Sequence, residues 1–324
     1  MAIIVHKYGG TSMGSVERIK NVARRVAKWH KAGYQMVVVV SAMSGETNRL
    51  IGLAKEIMPN PDPRELDVIA STGEQVSIGL LAMALKSIGV DAVSFNGSQV
   101  AVHTDSAFTK ARIESIDCEP VKRELDAGKV VIVAGFQGRD ADGNVTTLGR
   151  GGSDTSAAAL AAFLGAERCI IYTDVDGVYT TDPRVCPTAR RLAAVSCDQM
   201  LRLAANGAQV LHDRSVALAA RHGVTVEVRS CEAGSVGTLV VPQVEESREV
   251  TGVTRSRRGE VTRVTAIGRA LPSLAAIRAA VSALETAGVT ALGLEEGEQR
   301  VTLLVKRDDE DAALCAVHDA LVPR

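Results

Sequence analysis

The stretch TTLGRGGSDTSAAALAAFLG, residues 146–165, joins a glycine-rich run that carries Arg150 and Asp154 to an alanine-rich segment that predicts a helix. Ser153, Asp154 and Thr155 are residue types that cap helix N-termini, so capping explains one of them. Capping does not explain Arg150 beside glycines, because a planar guanidinium suits bidentate capture of a carboxylate or phosphate. Together with the free N–H groups of a helix start, it predicts a site for an anionic ligand.

A second stretch, VHKYGGTSMGS, places Lys7 at the end of a predicted strand, Gly9 and Gly10 after it, and Ser15 at the start of a helix. Glycines let the backbone approach a ligand, and the helix start offers N–H groups to a phosphate. Taken alone, the segment fits a phosphate cradle and an ordinary strand-to-helix turn equally well. Neither the P-loop pattern nor the dinucleotide-binding glycine pattern occurs here.

Three further segments place polar residues after predicted strands or at a helix entrance. YTDVDGVYTTDPR, residues 172–184, follows a buried strand, and ligands bind at the carboxyl edge of open parallel sheets. SAMSGETNRL offers Ser41, Ser44 and Thr47. STGEQVS offers Glu74, which suits an ammonium ligand, although a solvated capping carboxylate explains it equally well on its own.

The elements that must position these residues are short apolar runs rich in β-branched residues, at 3–7, 36–41, 130–136 and 169–179. Consecutive apolar residues are typical of parallel strands that are covered on both faces. Helical patterns lie between them, including the series Val16, Ile19, Val22 and Val26. This alternation predicts an α/β sandwich around a mainly parallel sheet.

The C-terminal part differs. Residues 237–260 are charged and punctuated by proline and glycine, which predicts a boundary near 240–260 and domains at 1–240 and 241–324. Beyond it the order strand, helix, strand, strand, helix, with helices at 273–287 and 308–321, resembles a small ferredoxin-like unit whose last strand is absent or very short.

Composition excludes some classes of function. The chain has 324 residues and a formal net charge of -1, which argues against a general polyanion binder. We expect a cytoplasmic location, with no membrane-spanning stretch, no signal peptide and no nucleic-acid partner. The scattered cysteines contain no C-x-x-C pair and predict reduced, partly buried thiols, at Cys118, Cys169, Cys186, Cys197, Cys231 and Cys315.

The motifs KYGGTS, VVVVSAMSGETNRL, STGEQVS, GFQG, TTLGRGGSDTSA, YTDVDGVYTTDPR and VLHDRSV resemble, in order and spacing, those of aspartate kinases of the amino-acid kinase superfamily. The resemblance extends from residue 1 to about 239. It implies a three-layer sandwich of the amino-acid kinase fold. It also implies that ATP, with Mg²⁺, phosphorylates the side-chain carboxylate of L-aspartate to 4-phospho-L-aspartate, a step of lysine and threonine biosynthesis.

The resemblance also implies residue roles. Lys7 matches the lysine that neutralises the transferring phosphoryl group. Asp154 matches the aspartate that organises this lysine and the metal–nucleotide. Arg150 matches the ligand of a substrate carboxylate and Glu74 that of the α-ammonium, within a substrate set of Ser41, Thr47, Glu74, Arg150, Gly151, Gly152 and Ser153. The implied nucleotide set is Lys7, Tyr8, Gly9, Gly10, Ser12, Thr173, Asp174, Tyr179, Asp182, Arg184, Gln209 and Val210. No side-chain metal ligands are implied.

The sequence departs from the family in two places. Gln209 stands where the family usually carries lysine, so one positive charge near the nucleotide is missing. Aspartate kinases normally end in two ACT modules, whereas the residues after 240 suffice for one incomplete ACT-like module whose first loop reads GRALPSL. We therefore expect weak or absent feedback by lysine and threonine, and a homodimer formed through this module.

Two alternatives stay open at this stage. The same fold could phosphorylate another acceptor in a specialised pathway, although Glu74 with Arg150 favours a free acidic amino acid over acetylated, carbamate or nucleotide acceptors. The chain could instead be a non-catalytic amino-acid sensor. The presence of Lys7, Arg150 and Asp154 together argues against a sensor, while Gln209 and the shortened C-terminal region leave this alternative open.

Overall fold

A computed structural model describes residues 1–231, 236–244 and 249–322. The chain folds into two compact units. The first comprises Met1–Asp176 and Arg214–Val236, and the second comprises Gly177–Asp213 and Gly237–Arg324. This division places residues 177–213 with the C-terminal part, whereas the sequence suggested a single boundary near residue 240. The functional domains 1–240 and 241–324 stay a prediction.

The helices are α1 Val16–Lys31, α2 Glu46–Ile57, α3 Pro63–Ala70, α4 Thr72–Lys86, α5 Glu119–Asp126, α6 Gly152–Leu164, α7 Cys197–Ala205, α8 Asp213–His222, α9 Leu274–Thr286 and α10 Glu310–Leu321. The strands of the first 176 residues are β1 Ile3–Tyr8, β2 Gln35–Val40, β3 Ala92–Phe95, β4 Val102–Thr104, β5 Ile113–Ile116, β6 Val130–Ala134, β7 Gln137–Arg139, β8 Val145–Thr147 and β9 Arg168–Thr173. Those that follow are β10 Ala194–Ser196, β11 Val226–Ser230, β12 Thr238–Val241, β13 Gly252–Arg258, β14 Val261–Ile267, β15 Gly293–Gly297 and β16 Arg300–Lys306.

The first unit is built on a parallel sheet with the strand order β11-β9-β1-β2-β6-β3. Its central strands are buried almost throughout, as the consecutive apolar residues predicted. A four-stranded sheet, β5-β4-β7-β8, lies in the same unit. The α/β architecture with a mainly parallel sheet is therefore confirmed.

The helices of the first unit follow the sequence pattern with two differences. Helix α1 begins after Ser15, whose hydroxyl accepts a hydrogen bond from the Arg18 N–H at 3.3 Å, but Val16 is exposed and does not join the apolar face. The helical run Pro63–Lys86 has the length and composition of a membrane span, which the sequence analysis did not expect. Half of its most apolar window is buried within the protein, as in the core helices of globular domains.

The second unit contains an antiparallel four-stranded sheet with the order β13-β14-β16-β15. Helices α9 and α10 pack with this sheet around a common apolar core. The predicted strand, helix, strand, strand, helix series is therefore preceded by one more strand, β13, inside the segment predicted as a boundary. The charge of this segment contributed to the prediction of a boundary, yet Arg257 in β13 pairs with the buried Glu310 of α10. Residues 245–248 of that segment lie outside the described residues.

One expectation about the cysteines is wrong. Cys186 and Cys315 form a disulfide in the second unit, with their Cα atoms 5.3 Å apart. Pairing depends on proximity in the fold, and 129 residues separate the two cysteines in sequence, so their spacing gave no signal. Cys118, Cys169 and Cys197 are buried free thiols and Cys231 is a half-buried one. The prediction that the cysteines are reduced thiols is therefore wrong for Cys186 and Cys315.

Candidate active site

A cleft of about 420 Å³ opens in the first unit, where β1, β2 and β6 end and where α2, α4 and α6 begin. This is the carboxyl edge of the parallel sheet, where ligands of open α/β sheets bind. Its walls are formed by Lys7, Gly10, Thr11, Ser41, Ala42, Met43, Ser44, Gly45, Thr47, Asn48, Glu74, Phe136, Gly149, Gly151, Gly152, Ser153 and Asp154. Segments far apart in sequence therefore meet at this edge.

The cleft contains a close pair of opposite charges. Lys7 lies near the end of β1, and its Nζ is 2.7 Å from Oδ1 of Asp154 in the first turn of α6. The side chains are 11% and 15% exposed, and the contact is an ion pair without an aligned hydrogen bond. The lysine ammonium is thus fixed at the cleft surface while it keeps N–H donors for a further anion.

Glu74 supplies an uncompensated carboxylate. It lies in the first turn of α4, and its Oε1 accepts a hydrogen bond from the Ala42 N–H at 2.9 Å. Its Oε2 is buried and has no hydrogen-bond partner among the residues that the structure describes. Burial raises the pKa of Glu74 to about 7. A buried oxygen without a partner, in the wall of a cleft, fits a cationic group of a ligand.

The start of α6 differs from the sequence expectation. Gly151, at φ +67°, is the N-cap residue, and no side chain caps the helix. Ser153, Asp154 and Thr155 are therefore not caps; the Thr155 hydroxyl instead donates to the Gly151 carbonyl at 3.1 Å. Asp154 stays available to Lys7, and the first-turn N–H groups of α6 stay available to an anion.

Close backbone packing explains two of the glycines. A Cβ at Gly10 would lie 3.0 Å from the Ala42 carbonyl oxygen. A Cβ at Gly152 would lie 2.8 Å from Cδ2 of Phe136. The glycines therefore bring three segments of the cleft wall together, as the GG and GRGG motifs suggested.

Of the predicted substrate residues, Ser41, Thr47, Glu74, Gly151, Gly152 and Ser153 line the cleft. Arg150 does not. It is exposed, and it forms no hydrogen bond or ion pair with any residue in the described ranges. Its role as a carboxylate ligand stays a prediction.

The predicted nucleotide residues near β1 divide into two groups. Lys7 and Gly10 line the cleft, and a Cβ on Gly9 would lie 3.4 Å from the Lys7 Nζ. Tyr8 points to the opposite face of β1, where its fully buried ring stacks on Tyr172 with the centroids 4.7 Å apart. The Tyr8 side chain is therefore buried away from the cleft, and its nucleotide contact stays a prediction.

The remaining predicted nucleotide residues lie in both units. In the first, the hydroxyl of Ser12 lies 3.0 Å from the Cys231 Sγ. In the same unit, the Thr173 hydroxyl donates a hydrogen bond to the Asp174 carboxylate at 3.0 Å. In the second, Arg184 pairs with Asp182 at 2.9 Å and holds the pKa of that carboxyl below its usual value. The roles of all these residues stay predictions, as do those of Tyr179, Gln209 and Val210.

Sequence reasoning missed several cleft residues. Ala42 contributes its backbone N–H to Glu74, and a backbone donor leaves no side-chain signal. Phe136 has φ +70°, which a bulky side chain rarely adopts, and only its place in the GFQG motif marked it. Met43 and Asn48 also line the cleft, inside the motif that contains Ser41 and Thr47.

Comparisons with known proteins agree with this geometry. The model of the amino acid kinase family matches residues 2–230. The aspartokinase of Pseudomonas aeruginosa is 57% identical over 261 residues, which are 79% of this chain and 63% of that protein. The aspartokinase of Thermus thermophilus is 44% identical over 330 residues, which are 99% of this chain and 80% of that protein. The chain thus spans less than two thirds of the Pseudomonas relative.

Solved structures show the same similarity. The aspartate kinase of Synechocystis has a TM-score of 0.68 at 34% identity, with 100% of this chain and 70% of that chain covered. Escherichia coli aspartokinase III in complex with aspartate and ADP has a TM-score of 0.72 at 26% identity, with 99% of this chain and 82% of that chain covered.

The parallel sheet, the cleft at its carboxyl edge and the match over residues 2–230 define the class of protein: the chain belongs to the amino acid kinase family. Within that family it groups with the aspartokinases, since the Thermus relative is similar over nearly the whole chain.

The buried carboxylate of Glu74 leads us to a prediction about stability. The folded pKa of Glu74, about 7, lies above its ordinary value of 4.5. The stability that Glu74 contributes is therefore complete below pH 4.5 and is lost as the pH rises through 7. Glu74→Gln keeps the acceptor for the Ala42 N–H without the charge. We expect this variant to be the more stable protein at pH 8, with an advantage that disappears towards pH 5.

Urea unfolding of both proteins between pH 5 and pH 8 measures this difference. A difference in the free energy of unfolding that does not change with pH would contradict the assignment of a buried, uncompensated charge.

Proposed function

We propose that the chain is an aspartate kinase, which transfers the γ-phosphoryl group of ATP to the side-chain carboxylate of L-aspartate and yields 4-phospho-L-aspartate. The observation that carries the proposal is the single cleft that contains the Lys7–Asp154 pair together with the unpartnered oxygen of Glu74. The names of the Pseudomonas and Thermus relatives, and the aspartate and ADP in the Escherichia coli complex, support it.

The chemistry needs no general base. A carboxylate nucleophile is ionised at neutral pH, so the protein has to align the reactants and stabilise the charge that develops on the phosphoryl group. In the proposed mechanism the Lys7 ammonium binds the transferring phosphoryl group, and Asp154 fixes the position of that ammonium. The uncapped N–H groups at the start of α6 add a second positive end at the same place.

The substrate amino acid has one ammonium and two carboxylates. We propose that the ammonium binds Oε2 of Glu74, which is buried and has no protein partner among the described residues. Arg150, which is exposed and unpaired within the described part of the chain, would bind the α-carboxylate. Ser41, Thr47 and Ser153, with the backbone of Gly151 and Gly152, would complete the wall around the side chain.

The nucleotide is proposed to bind along Gly9, Gly10 and Ser12, with Thr173, Asp174, Tyr179, Asp182, Arg184, Gln209 and Val210 as further contacts. Mg²⁺ would enter as part of the MgATP substrate, because it binds mainly through phosphate oxygens and water. Asp154, which pairs with Lys7, is the carboxylate that we propose faces the metal–nucleotide.

Three further expectations accompany the proposal: a homodimer through the ACT-like module, a cytoplasmic location, and weak or absent inhibition by lysine and threonine. They stay predictions. The first loop of the module, GRALPSL, is the sequence feature behind the expected lack of feedback.

An aspartyl-hydroxamate assay with MgATP tests the proposal. We expect hydroxamate with L-aspartate and little with L-glutamate or N-acetylglutamate, and we expect millimolar lysine plus threonine to leave the rate unchanged. Hydroxamate from another acceptor, or none from folded protein, would replace aspartate kinase with another kinase of this fold or with a sensor. Strong inhibition would reject only the expectation about feedback.

The proposed role of Lys7 leads us to a kinetic prediction. Lys7→Ala should lower kcat by about 10²-fold or more, the scale for loss of one electrostatic stabiliser of the transition state. Lys129→Ala is the matched control, because Lys129 also pairs with a carboxylate, that of Glu124 at 2.8 Å, but lies outside the cleft. Near-normal turnover of Lys7→Ala, or an equal loss in both variants, would reject the assignment.

A further inference from the structure

We propose that Asp67 is a positioning residue that holds the two sides of the substrate site in register. Asp67 does not line the cleft, and it belongs to helix α3. Its carboxylate bridges that helix to the segment that leads to Arg150. The inference deepens the proposed function and rests on it, because it assigns the ammonium to Glu74 and a substrate carboxylate to Arg150.

The bonds of Asp67 are unusual for a buried carboxylate. The residue is 1% exposed and has no cationic partner among its bonds. One oxygen accepts hydrogen bonds from the backbone N–H groups of Thr109 at 2.9 Å and Thr147 at 2.8 Å. The other accepts from the Thr147 hydroxyl at 2.6 Å. Three hydrogen bonds converge on this one side chain, so they fix these two segments to α3.

From Thr147 the chain continues into residues 148–151, the loop that carries Arg150 and is called the arginine loop below. Thr147 ends β8, and residues 148–151 connect it to α6. The loop is held from several directions: the Leu148 N–H donates to the Phe136 carbonyl at 2.8 Å, and Arg214 donates to the Leu148 carbonyl. The loop that carries Arg150 therefore departs from Thr147, and loss of the Asp67 contact releases it at this end only.

The Thr109 side reaches the same loop. Thr109 has φ +68°, a left-handed conformation that costs free energy for a β-branched residue and persists only where the surroundings enforce it. Its N–H is bound by Asp67, and its carbonyl oxygen lies 2.9 Å from the position that a Cβ on Gly149 would occupy. Asp67 thus stabilises a strained turn that packs directly against the residue before Arg150.

The other end of the link is Glu74. Helix α3 passes through Ser71 into α4, which has Glu74 in its first turn. The Ser71 carbonyl accepts a hydrogen bond from the buried Gln137 side chain at 2.8 Å, so this junction is also fixed. Asp67 therefore sets the distance between the element that carries Glu74 and the loop that carries Arg150.

The chain offers a matched control. Asp140 is 3% exposed, and its carboxylate also accepts hydrogen bonds, from the Asp142 N–H and from the backbone and side chain of Asn144. These bonds close the turn between β7 and β8, and the Ser106 side chain also bonds this carboxylate. Asp140→Ala removes a carboxylate that is also buried, without touching the bonds to Thr147, and is the control for residues 147–151. Asp67→Asn is the conservative variant, since an amide can satisfy the two N–H donors and donate to the Thr147 hydroxyl.

The test combines kinetics with hydrogen exchange on the full chain. We expect Asp67→Ala to raise the KM for L-aspartate about 10- to 100-fold, the scale for displaced substrate-binding groups, while the KM for MgATP stays unchanged. Asp67→Asn should restore most of the affinity, and Asp140→Ala should leave both KM values unchanged. Parallel rises of both KM values in Asp67→Ala, or the same selective rise in Asp140→Ala, would overturn the proposal.

Hydrogen exchange separates this inference from the proposed function. In Asp67→Ala the amides of residues 107–111 and 147–151 should exchange faster than in the wild type, and in Asp140→Ala those of residues 147–151 should not. Unchanged exchange in these segments overturns the proposal even if the wild type is fully active. If the wild type forms no hydroxamate, faster exchange still supports the link to the arginine loop, and only the assigned substrate is rejected.

Discussion

A buried carboxylate with one unpaired oxygen is the constraint on which the cleft depends. Oε1 of Glu74 is bound by the Ala42 N–H, while Oε2 has no partner in the described part of the chain. Such a group costs free energy in the folded state, which is why its pKa rises to about 7. Close packing holds it there, since a Cβ on Gly73 would lie 2.7 Å from that of Ala42. A ligand with an ammonium group would remove the cost.

The same cleft also contains a positive charge, that of Lys7, at the meeting point of the end of β1 and the start of α6. Lys7 is carried by the buried strand β1, and Asp154 is free to pair with it because glycine, instead of an acidic side chain, begins α6. The cation is thus anchored in the centre of the sheet. In the proposed reaction these fixed charges replace the solvent that would otherwise reorganise around the phosphoryl group.

The sequence predicted those parts of the structure that depend on local pattern. Consecutive β-branched residues predicted the buried parallel strands, and the motifs predicted most of the cleft wall. Features that depend on distant partners were missed, among them the Cys186–Cys315 bond and the strand β13, whose arginines pair with an acidic helix residue. The packing of Tyr8 against Tyr172 and the hydrogen bonds of Asp67 likewise appear only once the chain is folded.

Calorimetric titration of L-aspartate, in buffers that differ in ionisation enthalpy, tests most directly whether the cleft is built around Glu74. Near pH 6.5 the free carboxyl is partly protonated, and an ammonium bound to it must lower its pKa. We therefore predict that binding releases protons in the wild type and releases none in Glu74→Gln. Binding to the wild type without proton release, or with proton uptake, would contradict the account.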